Sequence, residues 1–340
     1  MKQHLNTLYI STDHTHLSLD GETVSVHLRD KGCTRIPLHN LQAIQTFGWD
    51  ISATPQLMAH CAEKGVHLAF CSPTGKLFCN VTGFTPGNVH LRRRQYRLAD
   101  DIFGSTLIAR EMIAAKILNA RTVLQRAVRD KKLQNDEMDS VIHTLARSVQ
   151  TVRRQTSPDG LLGAEGYAAE RYFSVFDQMI TPAEFSFAGR AKRPPRDPVN
   201  ALLSFTYSLL AADCKSALES VGLDSAVGLY HKDRPGRPGL ALDLMEEFRA
   251  PLADRLVLSL LNRRQVKATD FMVEPTGAVY LTDAARRVLL STWQERKAEQ
   301  IMHPFLQEKI TIGLLPHIQA RLLAQHIRGA LDSYPPMVWK

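Results

Sequence analysis

Short alternations of apolar and polar residues fill roughly the first 82 positions of the chain. A period of two predicts strands, because successive side chains of a strand point to opposite faces of the sheet. The alternation predicts strands at residues 5–11, 16–19, 23–28, 35–37, 42–47, 66–71 and 77–81. Asp20-Gly21 is typical of a tight turn, so the second and third strands should form a hairpin. Residues 52–64 place apolar side chains at helical spacing and predict a single helix within this β region.

Beyond residues 82–88, where glycine and proline cluster, the pattern changes to long helical periodicity. Apolar residues then recur every three to four positions over residues 98–128, 135–152 and 198–210, and around two acidic segments. We therefore predict an α+β chain of two domains. Residues 1–86 form a small N-terminal β-sheet domain with one helix, and residues 87–340 form a larger all-α C-terminal domain. The Tyr334-Pro335-Pro336 segment predicts a flexible end.

Composition narrows the function classes without choosing among them. The 340-residue chain has a net charge of +8, which favours an anionic partner. Its five cysteines include no C-x-x-C pair, so buried thiols in a reducing cytoplasm are expected in place of disulfides or zinc. No apolar run reaches the roughly 20 residues that span a bilayer, and the polar N-terminus does not resemble a signal peptide. We expect a cytoplasmic protein without membrane contact. Phosphate-binding glycine loops and nucleophile-elbow motifs are also missing from the sequence.

Glu165 is the carboxylate with the most unusual sequence setting. On its helix it shares a face with Ala168, Ala169, Tyr172 and Phe176, so its charge would lie in an apolar stripe. An unpaired buried charge is costly, so an arginine, a proton or a metal ion must compensate it. From this helix alone, a buried Glu–Arg pair and a metal ligand are equally good interpretations.

Three more carboxylates, Asp243, Glu246 and Glu247, lie on a helix that begins near Leu240. Their spacing of three and four residues predicts that they crowd one face. Acidic residues are common near a helix N-terminus because the helix dipole favours them, so this cluster also has an ordinary explanation. His231, which precedes the helix, would by itself be an ordinary hydrogen-bonded histidine. Together, one imidazole and two or three carboxylates suit Mg²⁺ or Mn²⁺ better than zinc and leave positions for water and phosphate oxygen.

Positive charge is concentrated at two places. The first lies where the long helical region begins and comprises Arg92, Arg93 and Arg94. A solvated helix face and a phosphate-binding surface are both consistent with that run. The second is the Pro/Gly-rich loop between His231 and the acidic helix, with Lys232, Arg234 and Arg237. We interpret these side chains as contacts to the DNA backbone.

Three long ordered motifs of the chain resemble those of a known family. They are GAEGYAAERYF at residues 163–173, NALLSFTY at residues 200–207 and HKDRPGRPGLALDLMEEFR at residues 231–249. The chain resembles the CRISPR-associated protein 1 family, the integrases of spacer acquisition, and its third motif resembles the type I-C-like subgroup. Gly239 stands where the family pattern leads us to expect a serine, and we expect this to cost only a weak helix cap.

The resemblance implies a fold, a reaction and partners. It implies a β-rich N-terminal dimerisation domain, a helical catalytic domain, and a homodimer that assembles with the small second CRISPR adaptation protein. It implies a metal triad of Glu165, His231 and one of Asp243 or Glu246, with Glu246 favoured. The implied activity is metal-dependent transesterification, in which 3′-hydroxyl ends of double-stranded spacer precursor DNA are joined to the CRISPR repeat. Endonuclease cleavage would be the same chemistry with water as nucleophile.

Two other functions remain open at this stage. A general metal-dependent DNase or repair nuclease would use the same site without the integrase role or partner. A non-catalytic basic scaffold protein would bind DNA without a metal ion and without any reaction at the carboxylate and histidine cluster.

Overall fold

The computed structural model describes residues 6–29, 32–75, 77–81, 83, 89–131, 135–191 and 194–339. The predicted boundary at residues 82–88 lies outside the described residues except for Gly83. Two compact units make up the chain. The first comprises Met1–Gly87, Leu281–Glu299 and Ile312–Leu314, and the second comprises Asn88–Tyr280, Gln300–Thr311 and Leu315–Lys340.

The N-terminal segment of the first unit is built from two small sheets and one helix. Its described elements are β1 (Asn6–Ile10), β2 (Thr15–Asp20), β3 (Thr23–Leu28), β4 (Gly32–Pro37), β5 (Leu41–Phe47), β6 (Ile51–Ala53), α1 (Pro55–Lys64), β7 (His67–Cys71) and β8 (Leu77–Val81). One sheet has the order β1-β5-β7-β8 and the other β4-β3-β2-β6. The predicted hairpin is confirmed, because β2 and β3 pair antiparallel and Gly21 turns between them with φ of 58°.

The core of this segment lies under α1. Thr54 caps the helix by accepting the Leu57 N–H, and Leu57 and Cys61 on its inner face are buried. They join a buried cluster that includes Leu17, Ile44 and Leu68 from the strands. The burial pattern of β2 shows the period of two, because Thr15 and Leu17 are buried and His16 between them is exposed. The short β6 was not predicted.

Helices dominate the second unit. They are α2 (Val89–Asp100), α3 (Ile102–Lys131), α4 (Asp136–Arg153), α5 (Pro158–Ser174), α6 (Pro198–Ser220), α7 (Gly239–Glu246) and α8 (Arg255–Asn262), with a π-helical turn at Arg249–Asp254. Three of these helices have an N-cap side chain that accepts a backbone N–H. Asn135, Ser157 and Asp197 accept N–H groups from the first turns of α4, α5 and α6. The long α3 packs against α4, α5 and α7, so it is the central helix of these four.

The later part of the chain departs from the all-α prediction. It contains β9 (Phe271–Val273) paired with β10 (Val279–Leu281), α9 (Asp283–Ala298), β11 (Gln300–Met302) paired with β12 (Lys309–Thr311), and α10 (Leu315–Arg328). Each of these four strands has only three residues, and the sequence analysis did not predict them.

Helix α9 belongs to the first unit, although the predicted boundary assigned it to the C-terminal domain. It packs against β1, where the Gln294 side chain donates a hydrogen bond to the Thr7 carbonyl at 2.9 Å. Arg286 also donates a hydrogen bond to the carbonyl of Pro73. The first unit therefore needs residues far along the chain, which a division at one boundary could not predict.

The prediction of a flexible C-terminal end is wrong. Tyr334, Met337 and Trp339 are buried. The Asn119 side chain on α3 donates to the Met337 carbonyl at 2.8 Å and accepts the Trp339 N–H at 2.6 Å. Apolar side chains and satisfied backbone groups offset the entropy that the tail loses on docking.

Two sequence expectations about chemistry and membranes can be compared with the structure. Cys61, Cys71 and Cys214 are buried free thiols, whereas Cys33 and Cys79 are exposed, so the expected burial holds for three of the five. Burial raises the pKa of the Cys61 thiol to about 11, which makes it a poor nucleophile. No helix in the described ranges combines the length and apolar character needed to cross a membrane.

Candidate metal centre

Four segments of the second unit bring charged side chains to one place. Helix α5 carries Glu165, α3 carries Lys116, the loop before α7 carries His231, and α7 carries Glu246 near its C-terminal end. Glu165 and Glu246 are 15% and 4% exposed, so both charges are largely removed from water. Such charges require a compensating partner nearby.

The compensating partner is Lys116, whose ammonium group lies between the two carboxylates. It forms an ion pair and a hydrogen bond with Glu165 and lies 2.7 Å from Oε2 of Glu246. Burial lowers the pKa of Lys116, but Glu246 and Glu165 outweigh it, so the pKa is raised and the ammonium stays charged. For Glu246, burial raises the pKa, and Arg249, Lys116 and His231 outweigh it to bring the pKa to about 2. Both groups are therefore ionised at neutral pH.

Sequence reasoning missed Lys116. It considered an arginine, a proton or a metal ion as the partner of Glu165, and the structure supplies a lysine 49 positions upstream. The available signal was of the same kind as for Glu165 itself. Lys116 interrupts the apolar run Met-Ile-Ala-Ala-Lys-Ile-Leu at residues 112–118, where a solvated lysine is unexpected.

Asp243 lies behind His231 and holds it in place. One carboxylate oxygen accepts the His231 backbone N–H at 2.9 Å and faces the ring Nδ1 at 2.6 Å. The other oxygen accepts the N–H groups of Leu229 at 2.6 Å and Tyr230 at 2.9 Å. A carboxylate only accepts, so Nδ1 carries a proton, and in the neutral form of the ring Nε2 has the lone pair. Nε2 lies 4.0 Å from Oε1 of Glu246.

The three carboxylates predicted to crowd one face of α7 have three different sets of partners. Asp243 faces the His231 loop, and Glu246 faces Lys116 and, at 3.1 Å, Arg249. Glu247 faces the C-terminal tail. The prediction of one shared face is wrong, because the consecutive residues Glu246 and Glu247 project about 100° apart around the axis, on either side of Asp243.

Two glycines allow the histidine loop to close over the start of α7. A Cβ at Gly239 would lie 2.7 Å from the Ala226 carbonyl oxygen and 2.9 Å from the Gly228 nitrogen. Any side chain there would force backbone to move, so glycine is required by space. The expected serine cap does not fit this geometry, and the helix starts without a side-chain cap. The other end of the loop is fixed by Gln95, which donates to the Asp224 and Val227 carbonyls at 2.8 and 3.0 Å.

A cavity of about 490 Å³ adjoins this cluster, and both Lys116 and Glu165 line it. Its walls also carry two guanidinium groups that lie over the same aromatic ring. The Arg190 and Arg249 groups lie 5.2 and 4.8 Å from the centroid of Tyr207. Positive charge beside an aromatic ring suits an anionic ligand with a flat apolar part.

The residue types at the cluster fit a hard divalent cation, although the described side chains do not form a closed cage. No group of three or more His, Cys, Asp or Glu within the described ranges is arranged to hold a metal ion. A lysine ammonium lies between the two carboxylates, however, and Oε2 of Glu246 is buried without an aligned hydrogen bond from the described residues. Two carboxylates and one imidazole lone pair are suitable ligands for Mg²⁺ or Mn²⁺.

The predicted DNA-binding residues differ in their freedom to contact a ligand. Arg93, Lys232 and Arg234 are exposed, whereas Arg92 and Arg237 are half-buried. Arg94 is exposed, but its guanidinium donates a hydrogen bond to the Arg328 carbonyl at 2.5 Å. The arginine run on α2 is thus not a uniform phosphate-binding surface.

Comparison with known proteins places these features in a family context. The family model described as "CRISPR associated protein Cas1" matches residues 8–295. The "CRISPR-associated endonuclease Cas1 1" of Chlorobaculum tepidum is 48% identical over 344 residues and covers 100% of both chains.

Solved structures share the fold. A Cas1 protein from Thermotoga maritima has a TM-score of 0.82 at 22% identity, covering 95% of this chain and 97% of that one. A structure described as a Cas6-RT-Cas1–Cas2 complex has a TM-score of 0.82 at 27% identity, covering 100% of this chain and 36% of that one. The mixed fold, with an N-terminal β-sheet region and a helical C-terminal region, matches these structures.

Proposed function

Because this chain belongs to the CRISPR-associated Cas1 family, we propose that it is a metal-dependent DNA endonuclease and integrase of CRISPR adaptation. The observation that carries the proposal is the convergence of Glu165, His231 and Glu246 from three separate segments. Two largely buried carboxylates lie on either side of a positive charge, and Nε2 of the His231 ring lies 4.0 Å from one of them. Such a group suits phosphodiester chemistry.

Glu165, Glu246 and Nε2 of His231 would hold a Mg²⁺ or Mn²⁺ ion. The bound ion supplies polarisation of a phosphodiester and stabilisation of the negative charge that develops on its oxygens. Asp243 keeps the proton on Nδ1 of His231, so that Nε2 points its lone pair into the site. Asp243 is thus proposed as a positioning residue and Glu246 as the third ligand.

The proposed reaction exchanges one phosphodiester for another. A 3′-hydroxyl of the spacer DNA loses its proton, and its oxygen forms a bond to phosphorus in the CRISPR repeat. The bond from that phosphorus to the 3′ oxygen of the repeat strand breaks, and the released oxygen takes up a proton. Hydrolysis would follow the same course with water as nucleophile.

The proposal includes double-stranded DNA and protein partners. The net charge of +8 and the exposed Arg93, Lys232 and Arg234 support a nucleic-acid backbone as ligand. A homodimer and the small second adaptation protein are proposed from the family, and the Cas1–Cas2 assembly of the related structure supports the second partner. The sequence of residues 231–249 supports assignment of the chain to the type I-C-like subgroup.

Strand transfer by charge-neutral variants tests the proposal. Glu165→Gln and His231→Ala should each lower the joining of labelled 3′-hydroxyl DNA to a repeat-bearing plasmid by at least about a hundredfold in Mn²⁺ or Mg²⁺. DNA binding, measured by fluorescence anisotropy, should remain. Glu184→Gln, at an exposed carboxylate of the same unit, serves as control and should match the wild type.

Three results would contradict the proposal. Full strand-transfer activity of both variants would mean that Glu165 and His231 do not hold a catalytic metal ion. Cleavage without joining, even with the small adaptation protein present, would favour a general metal-dependent nuclease. DNA binding without either reaction in the wild-type protein would favour a scaffold.

A further inference from the structure

Lys116 and Arg249 already balance the two carboxylates of the candidate metal centre. Lys116 pairs with both Glu165 and Glu246, and Arg249 pairs with Glu246 at 3.1 Å. These two carboxylates and two cations sum to zero formal charge. The Lys116 side chain is only 17% exposed, so the balance is made inside the protein and is weakly screened by solvent.

A divalent cation added to this group would disturb that balance. With Lys116 and Arg249 still paired there, the cluster would carry an excess charge of about two in a poorly solvated place. The excess can be removed in two ways. The lysine can leave the carboxylates, or an anion such as a DNA phosphate can enter with the cation.

We propose that Lys116 competes with the divalent cation for Glu165 and Glu246, so that the protein binds the cation weakly until DNA arrives. This inference rests on the proposed function, because it concerns the same cation. Lys116 holds the carboxylates together in the DNA-free protein, where its ammonium is the cation they share. An incoming phosphate supplies the negative charge that lets cation and ammonium occupy the centre together.

Two features of the structure make this competition specific to Lys116. Glu165 has no other cationic partner within 4 Å among the described residues, and its remaining contact is the Tyr230 hydroxyl at 3.4 Å. Oε2 of Glu246 is buried and faces Lys116 alone among the described cations. Arg249 approaches the other oxygen, so it does not lie between the two carboxylates.

Calorimetric titration of the DNA-free protein with Mn²⁺ tests the proposal. Lys116→Met removes the competing charge and should bind Mn²⁺ at least about tenfold more tightly than the wild type. Lys215→Met is the matched control. It removes the same charge from the same unit, at a lysine that pairs with Glu219 at 3.9 Å, and should leave Mn²⁺ affinity unchanged.

Two further measurements keep the test decisive if Lys116→Met fails to fold. Lys116→Gln also lacks the charge and keeps a hydrogen-bond donor, and it should show the same gain in affinity. In the wild-type protein, a DNA duplex with 3′-deoxy ends, which cannot be joined to another strand, should tighten Mn²⁺ binding at least about tenfold.

The outcomes separate this inference from the function on which it rests. If the wild type binds Mn²⁺ and the Lys116 variants bind it equally or more weakly, the competition is wrong and the metal-dependent function stands. If neither the wild type nor any Lys116 variant binds Mn²⁺, with or without DNA, the metal centre itself is refuted. If Lys215→Met also binds Mn²⁺ more tightly than the wild type, the gain in affinity comes from the lower net charge of the protein, and the competition by Lys116 is wrong.

Discussion

Asp254 is buried beside the candidate centre and accepts hydrogen bonds from two tyrosines. Its oxygens receive the hydroxyls of Tyr207 at 2.6 Å and Tyr172 at 3.0 Å. Burial raises the pKa of this carboxyl, and the tyrosines and nearby arginines oppose it only in part, so the pKa is about 6 in place of 3.8. Asp254 therefore holds a proton in the folded chain at pH values where the unfolded chain has lost it.

This difference predicts a pH dependence of stability. Between about pH 4 and pH 6 the folded state binds one more proton than the unfolded state, so the free energy of unfolding falls as pH rises through this range. Above pH 6 the contribution becomes constant. Relative to Asp254→Asn, which cannot titrate, the wild type should lose on the order of 2 kcal/mol between pH 4 and pH 7. Urea denaturation at several pH values measures this loss.

An exposed carboxylate of the same unit provides the comparison. Asp159, in the first turn of α5, is exposed, and Asp159→Asn should leave the pH dependence of the wild type in place. Parallel pH profiles for the wild type and Asp254→Asn would show that Asp254 titrates alike in both states.

At the residue scale, the sequence could identify which side chains were unusual but not what they touch. A carboxylate in an apolar stripe predicted that Glu165 needs a partner, and that was correct. The identity of the partner depends on how α3 packs against α5, which no local pattern contains. The choice between Asp243 and Glu246 likewise depends on the loop that folds back over α7.

At the scale of elements, the C-terminal tail fixes the helix that carries Glu246. Tyr334 donates its hydroxyl to Oε1 of Glu247 at 2.5 Å, and the Met337 N–H donates to Oε2 at 2.6 Å. Gln319 on α10 adds a third hydrogen bond to the same carboxyl at 3.0 Å. Glu246 is the residue immediately before Glu247, so the tail constrains the end of α7 at the candidate centre.

Removal of one hydroxyl tests this attachment. Tyr334→Phe leaves a buried carboxyl oxygen without its donor and should destabilise the protein by about 1–3 kcal/mol. Tyr96→Phe removes a hydroxyl that donates to Asp224 at 2.9 Å in an exposed place, and should cost less than about 0.5 kcal/mol. Chemical denaturation compares the two variants, and hydrogen exchange of α7 amides should rise only in Tyr334→Phe. Equal effects would mean that the tail does not constrain α7.

Elements with a long periodic pattern were predictable, and those defined by distant partners were not. The β2–β3 hairpin and the helices α3, α4 and α6 follow from local spacing. The tail has no periodicity, and its partners Glu247 and Asn119 lie 87 and 218 positions from the residues they bind. Its proline content suggested flexibility, but burial of Tyr334 and Trp339 overrides that preference.

At the scale of the molecule, chain order and spatial grouping differ. Residues 281–299 and 312–314 return to the N-terminal unit, so a single cut in the sequence cannot separate the two units. The predicted division at residues 86 and 87 followed the change in hydrophobic period. That change marks where β structure ends along the chain, but it carries no information about where later helices pack.

Net charge also belongs to the whole molecule, and its distribution predicts a salt response. If exposed Arg93, Lys232 and Arg234 each contact a DNA phosphate, replacing any one with alanine should reduce the slope of log affinity against log salt by about one. Arg94→Ala should change the slope less, because its guanidinium already binds the Arg328 carbonyl. Anisotropy titrations from low to high salt measure these slopes.

Arg129 distinguishes local contact from overall charge. It is exposed and pairs with Asp130 at 2.9 Å, so Arg129→Ala removes the same formal charge at a place outside the proposed DNA contacts. An unchanged slope in this control, with a reduced slope in the other three variants, would assign the phosphate contacts to Arg93, Lys232 and Arg234. Equal reductions in all variants would mean that the arginine run of α2 is a solvated face and that the charge of +8 acts only through its long-range field.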